Sequence, residues 1–522
     1  MSIPSGHSPG NYDPLSPHDG EHIHLSSIND STKAVRRSTN DAPAINQHKS
    51  AELTRTLTAQ DWTGPDDPEN PRNWPFGKKV FHTIVPALLA FVVSIGSSIY
   101  TPAYPLVSKE FGVGTTAALL PFSLYVLGLA FGPIVGASLS ETFGRRFVYM
   151  LAILIFAFFI MGAGFSPNFG CLVVLRFLAG LFGSPPLTIG AGTNADLWPA
   201  ETRARTTSFY VLSPFLGPAV GPIVGGYVSV IKGWRWTQWV TLMFTAVGWV
   251  PVLFTKETYK NAILHQRAKR LGIAAPPAGP RGLTMGRQML FTFLMRPAHM
   301  LFTEPIVGFL ALYISFNLAV LYSFFASLPT VFSGVYGFTA EQSSLVFIAL
   351  AIGCVLGLIT IIVVDTYVYQ RMFQAALIDG RHGIVAPEHR LYCAMLGSIG
   401  LPVGLFWFAW TARSDIHWIC PVIAIVPFSW GNMSIFISSA LYIVDTYQAR
   451  YGASAMAANG ILRYIFGAAF PLFTLPMYNK LGIGWATSLL GFIAATLTPV
   501  PWVLFRKGSA IRAKSKYETL KA

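Results

Sequence analysis

Twelve apolar stretches, each long enough to cross a hydrocarbon layer, follow one another between Val80 and Phe505. A bilayer core about 30 Å thick needs about 20 residues at 1.5 Å rise each. With no water inside to satisfy the peptide groups, those stretches must be helical. The expected spans lie near Val80 to Thr101, Ala117 to Leu139, Phe147 to Phe165, Phe169 to Ala191, Thr206 to Val228, Trp239 to Thr255, Ile306 to Leu328, Ser344 to Val364, Leu391 to Trp410, Trp418 to Ile443, Ala457 to Met477 and Trp485 to Phe505. Composition agrees: 52% of the 522 residues are hydrophobic and only 11% charged, against roughly 25% charged in soluble proteins. The fold class is an all-α membrane protein, and a soluble globular enzyme is excluded.

A net charge of +14 would raise the question of nucleic acid in a soluble chain, but here the basic residues sort by loop. If the amino terminus is inside, the inside loops hold Lys78, Lys79, Arg145, Arg146, Arg203, Arg205, the run from Lys256 to Arg296, Arg371, Arg381, Arg390, Arg450 and the tail from Arg506 to Lys521. The outside loops keep Lys109, Lys232, Arg235, Arg413 and Lys480. The positive-inside rule then puts both termini in the cytoplasm, and the surface the charge addresses is a lipid bilayer, with no nucleic-acid partner. Cys171, Cys354, Cys393 and Cys420 show no paired spacing, so neither a disulfide framework nor a metal site is indicated. The first 60 residues, rich in Ser, Asp, His, Asn and Pro, are expected to be disordered. No signal peptide opens the chain, so the first span is expected to act as its own insertion signal.

The two halves repeat. Phe111, Gly112, Gly128, Gly132 and Arg146 align with Tyr336, Gly337, Gly353, Gly357 and Arg371 at a constant shift of 225, and Asp196 and Pro222 with Asp445 and Pro471 at 249. The reading is a tail over 1–79, a six-helix bundle over 80–255, a basic linker over 256–297, a second bundle over 298–505 and a tail over 506–522. A segment at Tyr259 to Leu271 has the pattern of a surface-lying amphipathic helix. Parallel repeats of this kind rock around a midplane site, which favours alternating access over a static pore.

The loop Leu139-Ser-Glu-Thr-Phe-Gly-Arg-Arg146 combines a tight turn at Gly144 with fixed charge from Glu141, Arg145 and Arg146. It resembles the signature loop of the major facilitator superfamily, with Ala137 and Glu141 where that family usually has Gly and Asp. The resemblance implies the major facilitator fold, two six-helix bundles with twelve transmembrane helices. Arg176, costly within a bilayer unless it faces protein, water or a carboxylate, opens Arg176-Phe-Leu-Ala-Gly-Leu-Phe-Gly183, which resembles the family motif associated with proton transfer. A structural arginine bonded to helix carbonyls is the other reading. Span 5 carries Gly217, Gly221 and Gly225 at steps of four, with Pro218, Pro222 and Gly226 beside them. Small residues let backbones approach and proline bends a helix. This stretch resembles the antiporter motif of exporters that exchange a solute for protons.

Span 11 has Asn459, Arg463, Gly467 and Pro471 at the same spacing, either a polar face turned to a cavity or an anchor near the cytoplasmic end. Asp196 and Asp445, beside Arg203, Arg205 or Arg450, read as gate or loop carboxylates, and Glu304 as a membrane-edge acid for proton exchange. A cavity for bulky amphiphiles is expected to use Tyr313, Phe316, Asn317 and Phe324 of span 7, with Tyr125, Tyr210, Asn432, Tyr442 and Asn459. Trp62-Thr-Gly-Pro-Asp-Asp-Pro-Glu-Asn-Pro-Arg-Asn-Trp74, Gly233-Trp-Arg-Trp236, Lys256-Glu-Thr-Tyr259, Glu304-Pro-Ile-Val307 and Ala453-Ser-Ala-Met-Ala-Ala-Asn459 resemble a fungal branch of drug:proton antiporters. The resemblance implies proton-coupled efflux of a drug, toxin or secondary metabolite, powered by the proton gradient with no cofactor. The partners it implies are a small-molecule substrate and protons, for a monomer in the cell membrane or, alternatively, the vacuolar membrane. A polyamine or organic-acid transporter and a transporter-like sensor are the rival readings.

Overall fold

The computed structural model describes residues 61–273, 275, 291–379 and 385–520. The expected disorder of residues 1–60 lies outside them. Among the described residues there are helices, turns and loops, and no strand. Eleven helical segments are long and apolar enough to cross a membrane: Phe76–Phe111, Leu120–Phe143, Arg145–Gly164, Phe169–Leu197, Thr202–Lys232, Arg235–Phe254, Pro305–Tyr336, Ala340–Ile378, Pro387–Thr411, Ile419–Gln448 and Tyr451–Ala513. The last holds 63 residues, and at 1.5 Å per residue such a helix would be about three times as long as the hydrocarbon is thick. It breaks at Gly482, whose φ of +75° no helix permits, and so supplies spans 11 and 12. The protein is a multi-pass membrane protein.

The repeat is visible in the packing. Helix ends at Gly112 and Gly337 both take the left-handed conformation, with φ +64° and +67°, which glycine adopts without a Cβ clash. A Cβ on Gly128 of span 2 would strike the Phe177 carbonyl of span 4, and one on Gly132 would strike Ser184. In the second half Gly353 of span 8 meets the Val426 carbonyl of span 10, 2.5 Å from the same hypothetical atom, and Gly357 meets Met433 at 2.8 Å. Phe177 and Ser184 map onto Val426 and Met433 at the shift of 249. The same backbone-to-backbone seam is therefore built twice.

Residues 61–79, assigned from the sequence to a tail, are instead part of the fold. A short 3-10 turn at Pro71–Asn73 leads into the first span at Phe76. The preceding residues form a strap on the linker helix Lys260–Leu271, whose buried face is Ile263, Leu264, Arg267 and Ala268. The acids of the strap are held by a helix about 200 residues away, which local pattern does not reveal. The linker side of the bundle is called the linker face below, and the opposite side the far face.

Candidate functional site

Span 5 is one continuous helix, Ala200–Lys232, despite Pro214, Pro218 and Pro222 within it. Its glycine stripe lies against span 1. A Cβ at Gly217 would stand 2.5 Å from the Ser94 Cβ and 2.9 Å from the Ile95 nitrogen, and one at Gly221 3.0 Å from the Ile99 nitrogen. Gly225 meets the Ile99 carbonyl. Gly226 points to the other bundle, where a Cβ would come within 2.7 Å of the Ser344 Cβ. The four-residue spacing thus closes a seam within the first bundle and, at its far end, brings the bundles together.

Arg176 of span 4 is completely buried. Its Nη1 donates to the Gly96 carbonyl at 2.8 Å and its Nη2 to the Ser97 carbonyl at 3.2 Å, with longer contacts of 3.4 Å from Nε to the Pro121 carbonyl and from Nη1 to Gln238 Oε1. The first helical segment of span 1 ends at Ser98. The carbonyls of a helix's last turn lack intrahelical donors and carry the negative end of the dipole; Arg176 caps two of them. Its guanidinium also lies over the Tyr125 ring, 4.4 Å from the centroid, and Tyr100, at 5.5 Å. No carboxylate among the described residues pairs with it, so the helix-carbonyl reading is the arrangement present.

Between the bundles, Phe122 of span 2 packs on Tyr322 and Phe325 of span 7 at 5.5 and 5.7 Å, and Phe215 of span 5 on Phe436 of span 10 at 5.0 Å. Arg463 of span 11 lies over Phe436 at 4.6 Å and over Tyr464 at 4.7 Å. It is within electrostatic reach of Tyr210 and Tyr322. The Asn459 amide, one turn away, is buried with neither atom bonded, and so is the Asn317 amide, although the Asn317 carbonyl accepts from Asn432 Nδ2 at 3.4 Å. Phe316 contacts Phe470 at 6.3 Å. Tyr125, Tyr210, Asn317, Asn432 and Asn459 therefore gather around this inter-bundle layer. Three other expected cavity residues do not. Phe324 stacks on Phe408 and Phe428 of its own bundle, Tyr313 lies beside Thr498 of span 12, and Tyr442 sits in the linker-face core beside Gly508. Span 7 carries aromatic residues on every side, and only the tertiary packing tells its faces apart.

The profile of the Major Facilitator Superfamily matches residues 87–471. The chain belongs to the major facilitator superfamily. This facilitator is 36% identical over 521 residues to the ascochitine biosynthesis cluster MFS transporter of Didymella fabae, covering 98% of this chain and 99% of that one. It is 38% identical to efflux pump FUBT of Fusarium oxysporum, covering 87% and 76%. To polyamine transporter 4 of Saccharomyces cerevisiae it is 37% identical, covering 88% and 73%.

The facilitator's signature loop is anchored by a residue that the sequence reading did not single out. Glu257 accepts from the backbone nitrogens of Arg145 and Arg146 at 2.9 and 3.1 Å, capping the start of span 3. Its signal was the Lys256-Glu-Thr-Tyr259 stretch. Arg145 pairs with Asp196 at 3.4 Å and donates to Ser140 at 2.6 Å, while Arg146 donates to the Leu253 carbonyl at 3.0 Å. Glu141 lies within electrostatic reach of Arg145. Asp445 pairs with Arg390 at 2.8 Å. Arg205, one of the basic residues read beside these carboxylates, is not the partner of Asp196. Arg205 instead crosses between the bundles to Asp365 at 3.2 Å, and Asp365 also holds Arg390 at 3.2 Å. Asp365 directly follows an apolar run, Ile361 to Val364, a signal that marks a helix-end carboxylate.

Glu304 is buried at the start of span 7, where it accepts from Tyr447 Oη at 2.9 Å, Ser515 Oγ at 2.7 Å and the Lys516 nitrogen at 3.1 Å. The final helix is further held by Arg512 on Glu388 at 2.9 Å. On the strap, Asp67 accepts from Arg267 Nη2 at 2.8 Å, and Glu69 from Arg267 Nε at 2.5 Å and from Arg270. Burial opposes ionisation of Asp67, but the Thr63 and Glu69 backbone nitrogens and Arg267 outweigh it and hold the carboxyl down at about 2. Glu69 is likewise lowered, against the effect of burial, by Arg267 and Arg270. The structure thus has two polar layers: a set of ion pairs at the linker face, and an arginine-amide-aromatic cluster deeper between the bundles.

Proposed function

We propose that this protein is a proton-coupled exporter of amphiphilic small molecules, a transporter that does no covalent chemistry on its cargo. It works as a monomer in the plasma membrane with the linker face toward the cytoplasm. The observation that carries the reading is the span 5 seam: Gly217, Gly221 and Gly225 lie against the span 1 backbone, while Gly226 meets Ser344 of the second bundle. A seam this tight excludes water along its length, which coupled exchange requires and a leak would defeat. The relative in Fusarium oxysporum, named an efflux pump, supports the direction.

In this reading the linker-face ion pairs form the cytoplasmic gate. Asp365, shared by Arg205 of one bundle and Arg390 of the other, is the carboxylate whose neutralisation releases the bundles from each other. Substrate and protonation stabilise different access states, and each shifts the equilibrium only by its differential affinity for the two. Arg145, Arg146, Glu141, Asp196 and Asp445 belong to the same layer, while Arg176 positions span 1 from within the bundle.

The test is uptake into everted vesicles with an acid interior, using labelled amphiphiles from a panel of aromatic toxins, azoles and acids. Concentrative uptake abolished by a protonophore is expected. Uptake that only equilibrates, or is indifferent to the gradient, overturns the proposal.

A further inference from the structure

Arg463 is a half-buried charge within span 11 that has no counter-charge among the described residues. It makes no hydrogen bond or ion pair to any described residue; its contacts are the faces of Phe436 and Tyr464, and its Nε is buried without an acceptor. Arg176, which is fully buried, shows how this protein satisfies such a group when its role is internal: two carbonyls at 2.8 and 3.2 Å, with Gln238 and Pro121 beside them. A guanidinium inside a membrane is held only where something balances it. Arg463 is therefore incomplete by itself.

Its surroundings are unfinished in the same way. Asn459 lies one turn earlier on the same face of span 11, its amide oxygen and nitrogen both buried and unbonded. The Asn317 amide of span 7 is likewise unbonded. Asn432 touches the Asn317 carbonyl and lies one turn from Phe436, the ring beneath Arg463. One edge of span 10 thus runs from Asn317 to Arg463. The acids of the described spans sit at their ends: Glu141, Asp196, Asp365, Asp445, Glu304 and Glu388 on the linker face, and Glu110 and Glu341 on the far face. None stands in this layer.

We infer that the Arg463 layer is the recognition site for an organic anion, an aromatic carboxylate whose acid group pairs with Arg463 and whose ring lies among Phe436, Tyr464, Phe215 and Tyr322. A guanidinium offers a planar fork of donors that matches a carboxylate two bonds at a time. The Asn459 and Asn317 amides supply further donors for its outer lone pairs. A polyamine meets the opposite field, since the layer holds positive charge and no carboxylate to neutralise an ammonium. This rests on the exporter reading and narrows its cargo to acids.

The experiment is equilibrium binding to the purified full chain in phosphatidylcholine nanodiscs, with naphthoate and related aromatic acids, their methyl esters, and spermine. The acids are expected to bind at least tenfold more tightly than their esters, and spermine not to saturate. Arg463→Gln should bring the acid-to-ester ratio to near one, with Arg463→Lys restoring part of it. Asn459→Asp, which places a carboxylate one turn from Arg463, should remove the preference while keeping the arginine and guards against a folding defect in the first variant. No saturable binding by any acid, esters or spermine binding as tightly, or an unchanged ratio in Arg463→Gln overturns the inference. Gradient-driven uptake in vesicles separates the two readings. Arg463-dependent acid binding without such uptake sinks the exporter alone, and driven uptake of esters that ignores Arg463 sinks this inference alone.

Discussion

Replacing Arg176 with methionine tests whether that arginine is a helix cap before it is anything else. The substitution keeps an unbranched apolar stem and removes every donor. The two short bonds, to the carbonyls of Gly96 and Ser97, each involve a charged donor and contribute about 1.5–3 kcal/mol. The contacts at 3.4 Å add little at that length. Removing a buried charge ordinarily returns some of its desolvation cost. Here the partners are backbone carbonyls that cannot be removed with it, and they remain at the end of a helix in a dry bundle. The net loss is about 3–6 kcal/mol, which for a bundle this size lowers the melting temperature by about 10 °C. Detergent-solubilised wild type and Arg176→Met, compared by size-exclusion after a heating series, give the answer directly. Arg176→Gln, which can still donate to one carbonyl, should fall between them. A variant that melts with the wild type yet no longer transports would refute the capping argument and return the residue to proton transfer.

Three further outcomes are expected. Gly221→Leu should part spans 1 and 5, because its Cβ alone would stand 3.0 Å from the Ile99 nitrogen; overpacking of this kind costs about 1–3 kcal/mol or more, whereas Gly460→Ala, with nothing within 4 Å, should melt as wild type does, and equal melting of both variants would discredit the seam. Asp365→Asn should open the linker face by leaving Arg205 without its inter-bundle partner, so that a maleimide reaches a cysteine placed at Phe215 several-fold faster in a cysteine-free background; an unchanged rate would show that the ion pair does not gate. The strap should loosen in acid. Asp67 is depressed from about 3.9 to about 2, so its contribution of about 2 kcal/mol is present above pH 4 and lost as pH falls through 2; hydrogen exchange of residues 61–75 should quicken about 30-fold in Asp67→Asn at neutral pH, and an unaltered rate would exclude the Arg267 clasp.

Much of the architecture follows from local chemistry that the sequence by itself determined. A bilayer forces each long apolar run to become a helix, and glycine at a fixed step forces close packing, so the spans, the doubled Gly128 and Gly353 seams and the span 5 stripe were all legible. The polar site was legible only as a set of candidates. Arg176 was marked as anomalous by its burial cost, but whether a carboxylate or the end of span 1 would satisfy it depended on which helix lay opposite. Asp196 and Asp445 were marked as helix-end acids, yet that Asp196 pairs with Arg145 and Asp445 with Arg390 depends on which helices lie alongside. Tyr313, Phe324 and Tyr442 are aromatic residues of spans 7 and 10 like those of the inter-bundle layer, and only the packing turned them to their own bundle. The strap is the extreme case, since Asp67 finds Arg267 about 200 residues along the chain. Helix formation in a membrane is enforced by the solvent and can be read residue by residue. Pairing between helices is a choice among alternatives of similar local energy, and the tertiary structure decides it.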